Sequence, residues 1–227
     1  MVDVFHIRGR INIVEKKRMK RRQDKLKKGM IVAILFIVTG ISFIGYGLFE
    51  KISMDRKTEA ALKDAVSITK GMVGEKDTPD KKERPKKPDD FAPETGEVIG
   101  LLKIPRLEAE LPIVEGTDPA ELEKGVGHFK GASFPGEEGQ IVFSGHRDTV
   151  FLRLGELEIG DKFYVNMPYG EYMYEIYDSK IVDEDDRTVI TLQKEKEDLL
   201  LTTCYPFTLT GAAPERYILY AKPVDSR

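Results

Sequence analysis

The chain has one cysteine, no tryptophan and three histidines in 227 residues. A single thiol rules out an intramolecular disulfide framework and any structural zinc site built on several thiolates. Residues 29–49 hold no charge at all, in a chain that is 33% Asp, Glu, Lys and Arg. The high charge content excludes a polytopic membrane protein, and the uncharged run excludes a wholly soluble one. Residues 96–227 are short of basic side chains, with 14 against 25 acidic and a balance of −11. Phosphate binding needs a basic surface, so nucleic acid is not the partner.

The overall net charge of −3 averages three unlike parts. Residues 1–28 carry 11 basic and 3 acidic residues, residues 50–95 carry 11 of each, and the acidic remainder follows. Between the first two lies Gly29 to Phe49, 21 residues rich in Ile, Val, Leu, Phe and Gly. As a helix at about 1.5 Å per residue the run measures about 31 Å, close to a hydrocarbon core of about 30 Å. Lys and Arg crowd its N-terminal side, whereas Glu50, Lys51, Asp55, Arg56 and Lys57 beyond it are mixed. The positive-inside bias therefore keeps residues 1–28 in the cytoplasm and sends the C-terminal domain outward. Gly45-Tyr46-Gly47 has the form of a signal-peptide cleavage site. The apolar run exceeds the usual h-region of about 7–15 residues, so the expectation is an uncleaved, single-pass signal anchor in the cell membrane. The basic tail needs no partner beyond the lipid bilayer and its anionic headgroups.

Residues 50–73 place Ile52, Ala60, Ala61, Leu62, Ala65, Val66 and Ile68 among charged residues, a spacing compatible with a juxtamembrane helix. Residues 74–95 hold four prolines among Lys, Asp and Glu, with Phe91 the only large apolar side chain. Such a stretch is expected to be an extended Pro/charged linker, with a reach of roughly 25–30 Å if flexible. Residues 96–227 have single-domain size. There, Val98–Ile104, Leu111–Val114, Ile141–Ser144, Lys162–Val165, Tyr172–Ile181, Leu199–Thr203 and Tyr217–Ala221 read as strands punctuated by Gly and Pro. Asp118 is expected to N-cap a short helix over Pro119–Lys124. Seven short strands indicate an all-β barrel or sandwich, and pattern alone does not choose.

Three residues of this domain point to chemistry. Cys204 ends the apolar strand Leu199-Leu200-Leu201-Thr202-Thr203 and precedes Tyr205-Pro206-Phe207. A lone cysteine is usually a small core residue. An outward-facing domain, however, exposes a spare thiol to oxidation, and rims where strands meet turns carry function. His146 stands in Ser144-Gly145-His146-Arg147-Asp148-Thr149, where a strand gives way to a loop, and Arg216 opens the last strand. Separately these are a surface histidine and a strand-edge arginine. Together they form an acyl-transfer set. A thiol of ordinary pKa, about 8.5, is only a few per cent thiolate at pH 7 and needs a proton acceptor. Histidine is its natural partner, and a fixed guanidinium can hold the oxyanion of a tetrahedral intermediate or orient a substrate backbone.

The single N-terminal span, Gly145-His146-Arg147-Asp148-Thr149-Val150-Phe151, Thr202-Thr203-Cys204-Tyr205-Pro206-Phe207 and Arg216 resemble a sortase, and the His-Arg-Asp-Thr-Val-Phe wording most resembles class D. The resemblance covers about residues 96–227 and the membrane topology. It implies a closed sortase-type β-barrel of about seven or eight strands with short helices. It implies a cysteine transpeptidase that cleaves a Leu-Pro-x-Thr-Gly-like sorting motif of secreted proteins through a Cys thioester, then passes the acyl group to a peptidoglycan-precursor amine. The catalytic residues carry over to His146, Cys204 and Arg216, and Thr202 and Thr203 are expected beside bound substrate. Leu200 stands where the family motif Thr-Leu-x-Thr-Cys has its first Thr, which reads as a packing substitution.

His128, in Gly125-Val126-Gly127-His128-Phe129, is the only other histidine of the domain and sits in a stretch resembling a sortase structural loop. His146 is preferred as the proton partner. Asp148 is read as capping the loop before Val150-Phe151-Leu152, not as a third member of a triad. Some sortases are activated by calcium, which the run Asp183-Glu184-Asp185-Asp186 invites. The run lacks EF-hand spacing, so a solvated turn is expected, with no cofactor and Ca2+ as its alternative. Rival functions are a pilin-polymerising sortase, a non-catalytic tethered β-barrel binding module and an extracellular cysteine protease.

Overall fold

The computed structural model describes residues 4–70, 84–208, 211 and 213–224. The chain divides into two compact units, Met1–Ser53 and Met54–Arg227. The first unit is the N-terminal part of helix α1, Val4–Thr69. Phe36, Phe43 and Phe49 on it are each more than 70% exposed, at 75%, 76% and 71%. Apolar side chains in that density are stable only against lipid or a partner. The helix is long and apolar enough to cross a membrane.

Within the second unit, residues 54–69 of α1 bury Ala61, Ala65 and Thr69. These lie on one stripe of i, i+4 spacing, the amphipathic face expected of a surface helix. Lys57 Nζ lies 2.5 Å from Glu123 Oε2, and the Thr58 hydroxyl donates to the Glu123 carbonyl at 3.2 Å.

The remainder is a closed, eight-stranded barrel. Its strands are β1 Val98–Ile104, β2 Ala109–Glu115, β3 Val126–His128, β4 Gln140–Ser144, β5 Lys162–Met167, β6 Gly170–Asp183, β7 Asp198–Tyr205 and β8 Glu215–Val224, with helix α2, Pro119–Leu122, after β2. Around the barrel the order is β1-β2-β3-β4-β7-β8-β6-β5. The β2–β3 and β4–β7 pairs are parallel and the others antiparallel. The all-β barrel is thus the expected fold. Of its strands, only β3 was not expected: it is three residues long and carries Gly127, too short for period-2 alternation to register.

Strands β4, β7 and β8 are covered on both faces. Phe143, Leu199, Leu201 and Leu219 point into the main core, while Val142, Leu200 and Ile218 pack in a second cluster outside it. Burial of both faces explains why β7 reads as an unbroken apolar run, not an alternating one. Leu200 has a packing role in that outer cluster.

Two local expectations are corrected. Asp118 has the extended backbone of an N-cap, φ −72° and ψ 162°, but its side chain makes no capping bond; its carbonyl instead accepts the Leu122 amide at 3.1 Å. The linker is not an extended tether over its described part. Residues 84–95 lie against the barrel. Arg84 forms a bidentate pair with Glu197 at 2.5 and 3.0 Å, and Tyr174 donates to the same carboxylate at 2.5 Å. Phe91 packs edge-on against Phe134 and Tyr169, with ring centroids 5.3 and 5.0 Å away. Gly170 makes room for this strap, since a Cβ there would meet the Pro85 ring at 2.5 Å. A few anchors at fixed spacing outweigh the polar composition. Residues 74–83, the rest of the linker, lie outside the described residues, as do residues 71–73 of the expected juxtamembrane helix.

Candidate active site

Register brings the three candidate residues together. In the parallel β4–β7 ladder the last paired residues are Ser144 and Thr202. His146 and Cys204 each follow two residues later on neighbouring strands. In the antiparallel β7–β8 ladder Cys204 is paired directly with Arg216. Directly paired residues face the same way, so Cys204 and Arg216 share a face, and His146 lies just past the end of β4, on the strand beside that of Cys204.

They line an open groove of about 360 Å³, within the range of ligand-binding clefts. Its walls are apolar where Leu122, Phe129, Val182, Val189, Ile190 and Ile218 contribute, and acidic at Asp183, Glu184 and Asp186. Cys204 is free and half-buried, and it lines the groove.

The turn carrying His146 is tightly built. The Phe151 amide donates to the His146 carbonyl at 3.0 Å. Gly145 allows the close approach this requires, because a Cβ there would meet the Phe151 ring at 2.6 Å. Arg216 is held from two sides: Nη1 donates to the carbonyls of Ala213 and Glu215 at 2.9 and 3.0 Å, and Nη2 to Glu184 at 3.3 Å. Thr202 lines the groove and is itself largely buried. Thr203 also borders it, but its hydroxyl is buried and donates to the Gly145 carbonyl at 2.7 Å.

His128 is committed elsewhere. It is fully buried, with Nδ1 2.6 Å from Glu115 and Nε2 3.1 Å from the Ser133 carbonyl, and its ring stacks on Phe134. Asp148 is exposed and, among the described residues, its carboxylate takes no hydrogen bond, so the expected loop cap is not formed by its side chain. The acidic run spreads its carboxylates over separate partners. Asp183 accepts the Asp185 amide, Glu184 takes Arg216, and Asp186 accepts the Thr188 hydroxyl and amide. The Thr188 bonds, hydroxyl first, hold the Asp186 carboxyl below its ordinary value. No three His, Cys, Asp or Glu side chains converge as a metal site among the described residues.

The apolar walls and the Glu184–Arg216 contact went unnoticed in the sequence. Glu184 gains its place only from the β6–β8 register, where Val182 pairs with Arg216 and Asp183 with Glu215. Nothing local in the acidic run signals that pairing.

A family model described as Sortase domain matches residues 102–224. The chain is 52% identical to Sortase D of Bacillus subtilis strain 168 over 194 residues, covering 86% of this chain and 98% of that protein. It is 27% identical to Sortase A of Listeria monocytogenes over 117 residues, half of this chain and 52% of that protein. Among solved structures, a Clostridium perfringens Sortase D5 transpeptidase superposes with a TM-score of 0.53 at 27% identity, covering 58% of this chain and 81% of that one. Clostridium perfringens sortase C with the C-terminal cell wall sorting motif gives a TM-score of 0.55 at 26% identity, covering 77% and 90%.

Proposed function

The chain belongs to the sortase family of cysteine transpeptidases, and within that family we propose that it cleaves a Leu-Pro-x-Thr-Gly-like sorting motif and transfers the acyl group to a cell-wall amine. The observation that carries this reading is that His146, Cys204 and Arg216, at or just past the ends of three neighbouring strands, line one open groove. The sorting-motif complex of a relative supports the substrate class.

In the proposed cycle the Cys204 sulfur, as thiolate, attacks the carbonyl carbon of the motif's Thr. Arg216 stabilises the oxyanion of the tetrahedral intermediate. The C–N bond then breaks, His146 gives its proton to the leaving amine, and a Cys204 thioester remains. A peptidoglycan-precursor amine attacks the thioester, His146 takes up its proton, and the sulfur leaves as thiolate. The amine competes with water at about 55 M, so it must be held in place while solvent is limited. Thr202, on the groove face, is assigned to substrate contact. Thr203 is assigned to the same region through its backbone and its tie to Gly145.

The N-terminal helix serves as a single-pass anchor, with residues 1–28 cytoplasmic and the barrel outside, where secreted substrates arrive. Mass spectrometry of the protein incubated with Leu-Pro-x-Thr-Gly-type peptides and varied amines tests the reaction. The expected result is a Cys204 acyl adduct that amine converts to amide. Hydrolysis alone with every amine supplied would indicate a cysteine protease, and transfer confined to a pilin lysine would indicate a polymerase. Absence of an adduct with all motifs would overturn the proposal.

A further inference from the structure

Backbone pairing between the strands that carry His146 and Cys204 stops short of both residues. Ser144 and Thr202 form the last rung of β4 and β7, and the Gly145 amide adds one bond to the Thr202 carbonyl at 3.1 Å. Past that bond the main-chain ladder no longer sets the separation of imidazole and sulfur. Two side chains take over. Thr203 Oγ1 donates to the Gly145 carbonyl at 2.7 Å. Arg147, only 7% exposed, reaches the opposite way, with Nη1 donating to the Pro206 carbonyl at 3.0 Å and Nη2 to the Gly211 carbonyl at 2.6 Å. The neighbours of His146 on both sides are therefore bound to residues flanking Cys204: Gly145 to Thr203, and Arg147 to Pro206.

The chemistry of this tie is specific to arginine. A guanidinium is a planar fork whose N–H groups can reach two carbonyls on separate parts of the β7–β8 connection, whereas a lysine ammonium is a point donor on a flexible stem. Burying a cation is unfavourable unless its donors are satisfied, and here backbone carbonyls satisfy them. Arg147 does not line the groove. It reaches the chemistry only through the two loops it joins.

We propose that Arg147 is a positioning residue of the acyl-transfer site, holding the His146 turn and the loop after Cys204 at working distance through its two carbonyl bonds. The inference rests on the reading of His146 and Cys204 as the catalytic pair. A purely structural tie would lower stability and leave the folded enzyme's rates unchanged. A positioning tie changes the rates of the folded enzyme.

The test uses the full chain in detergent micelles, with Arg147→Lys and Arg147→Met beside the wild type. Three quantities are measured: alkylation of the chain's one thiol by iodoacetamide, single-turnover acylation by a Leu-Pro-x-Thr-Gly-type peptide across a range of concentrations up to saturation, and Tm. A misplacement of about 1 Å costs about 100-fold, so Arg147→Met is expected to lose about that factor in acylation, and Arg147→Lys about tenfold. KM is expected to stay within about threefold, because the groove walls are untouched. Alkylation of both variants is expected to slow toward the rate of His146→Ala. Should Arg147→Met fail to fold, Arg147→Lys decides. Wild-type rates in the folded variants, or losses matched by the unfolded fraction at the assay temperature, would overturn the proposal. A wild type that alkylates rapidly yet forms no thioester with any peptide counts against the acyl-transfer reading instead, and Arg147 is then judged on alkylation alone.

Discussion

Glu184 holds Nη2 of Arg216 at 3.3 Å while two carbonyls hold Nη1, so the guanidinium paired with Cys204 is partly neutralised before substrate arrives. Both side chains are partly exposed, at 32% and 49%, and such pairs contribute about 0–1 kcal/mol. Glu184→Gln should therefore raise kcat/KM for peptide cleavage by about two- to fivefold, with a weaker dependence on salt, as read from initial rates at two ionic strengths. Thr203→Val keeps the shape of a buried residue and leaves the Gly145 carbonyl without its donor. It should cost about 1–3 kcal/mol in urea denaturation. At this scale the candidate site was legible by residue type. One thiol, a histidine at a strand end and an arginine opening the last strand form an acyl-transfer set whatever their distance. Glu184 was not legible, because a carboxylate in an acidic run looks the same solvated or paired. Thr203 was assigned to substrate, and its tie to Gly145 depends on which face of β7 points inward.

Two elements gain meaning only from what they touch. The strap at residues 84–95 is Pro-rich and polar, yet Arg84 meets Glu197, whose side chain is only 10% exposed and also accepts from Tyr174. Burial first, and then the Glu197 carboxylate, keep the Tyr174 phenol neutral at all ordinary pH. Arg84→Ala strands a nearly buried carboxylate and should destabilise the barrel by about 3 kcal/mol in chemical denaturation, freeing residues 84–91 to protease. The segment of α1 over residues 54–69 docks through Lys57 and Thr58 on Glu123. The Lys57 hydrogen bond and charge hold the Glu123 carboxyl below its ordinary value. A carboxylate with a lowered folded-state pKa stabilises its contact above the unfolded value and loses that contribution as pH falls through the folded one. Hydrogen-exchange protection of residues 54–69 should accordingly be constant from pH 8 to 5 and fall only below about pH 4. Strand β3 eluded sequence reading for a related reason: three residues with a central glycine owe their extended form to β2 and β4 on either side.

At the scale of the whole chain, the apolar run of α1 and the acidic barrel belong to separate compact units. A charge at the centre of a membrane helix costs about 2.5–3.5 kcal/mol on insertion scales. Phe36→Lys combined with Ile41→Lys should therefore move the protein from the membrane to the soluble fraction, measured by ultracentrifugation of lysates, and leave the circular dichroism of the barrel unchanged. Composition was sufficient to establish the apolar run, because a bilayer-length segment without charge is a local property that no distant contact alters. The positions of the other seven strands were local in the same way, since backbone propensity and turn residues act within a few positions. The closed order of the barrel was not. Placing β4 beside β7 and β7 beside β8 depends on pairings between distant segments, whose free energy comes from burying both faces of those strands at once. The meeting of His146, Cys204 and Arg216, and the bracing of the first two by Arg147, arise from that closure. No stretch of sequence short enough to be read by itself contains them.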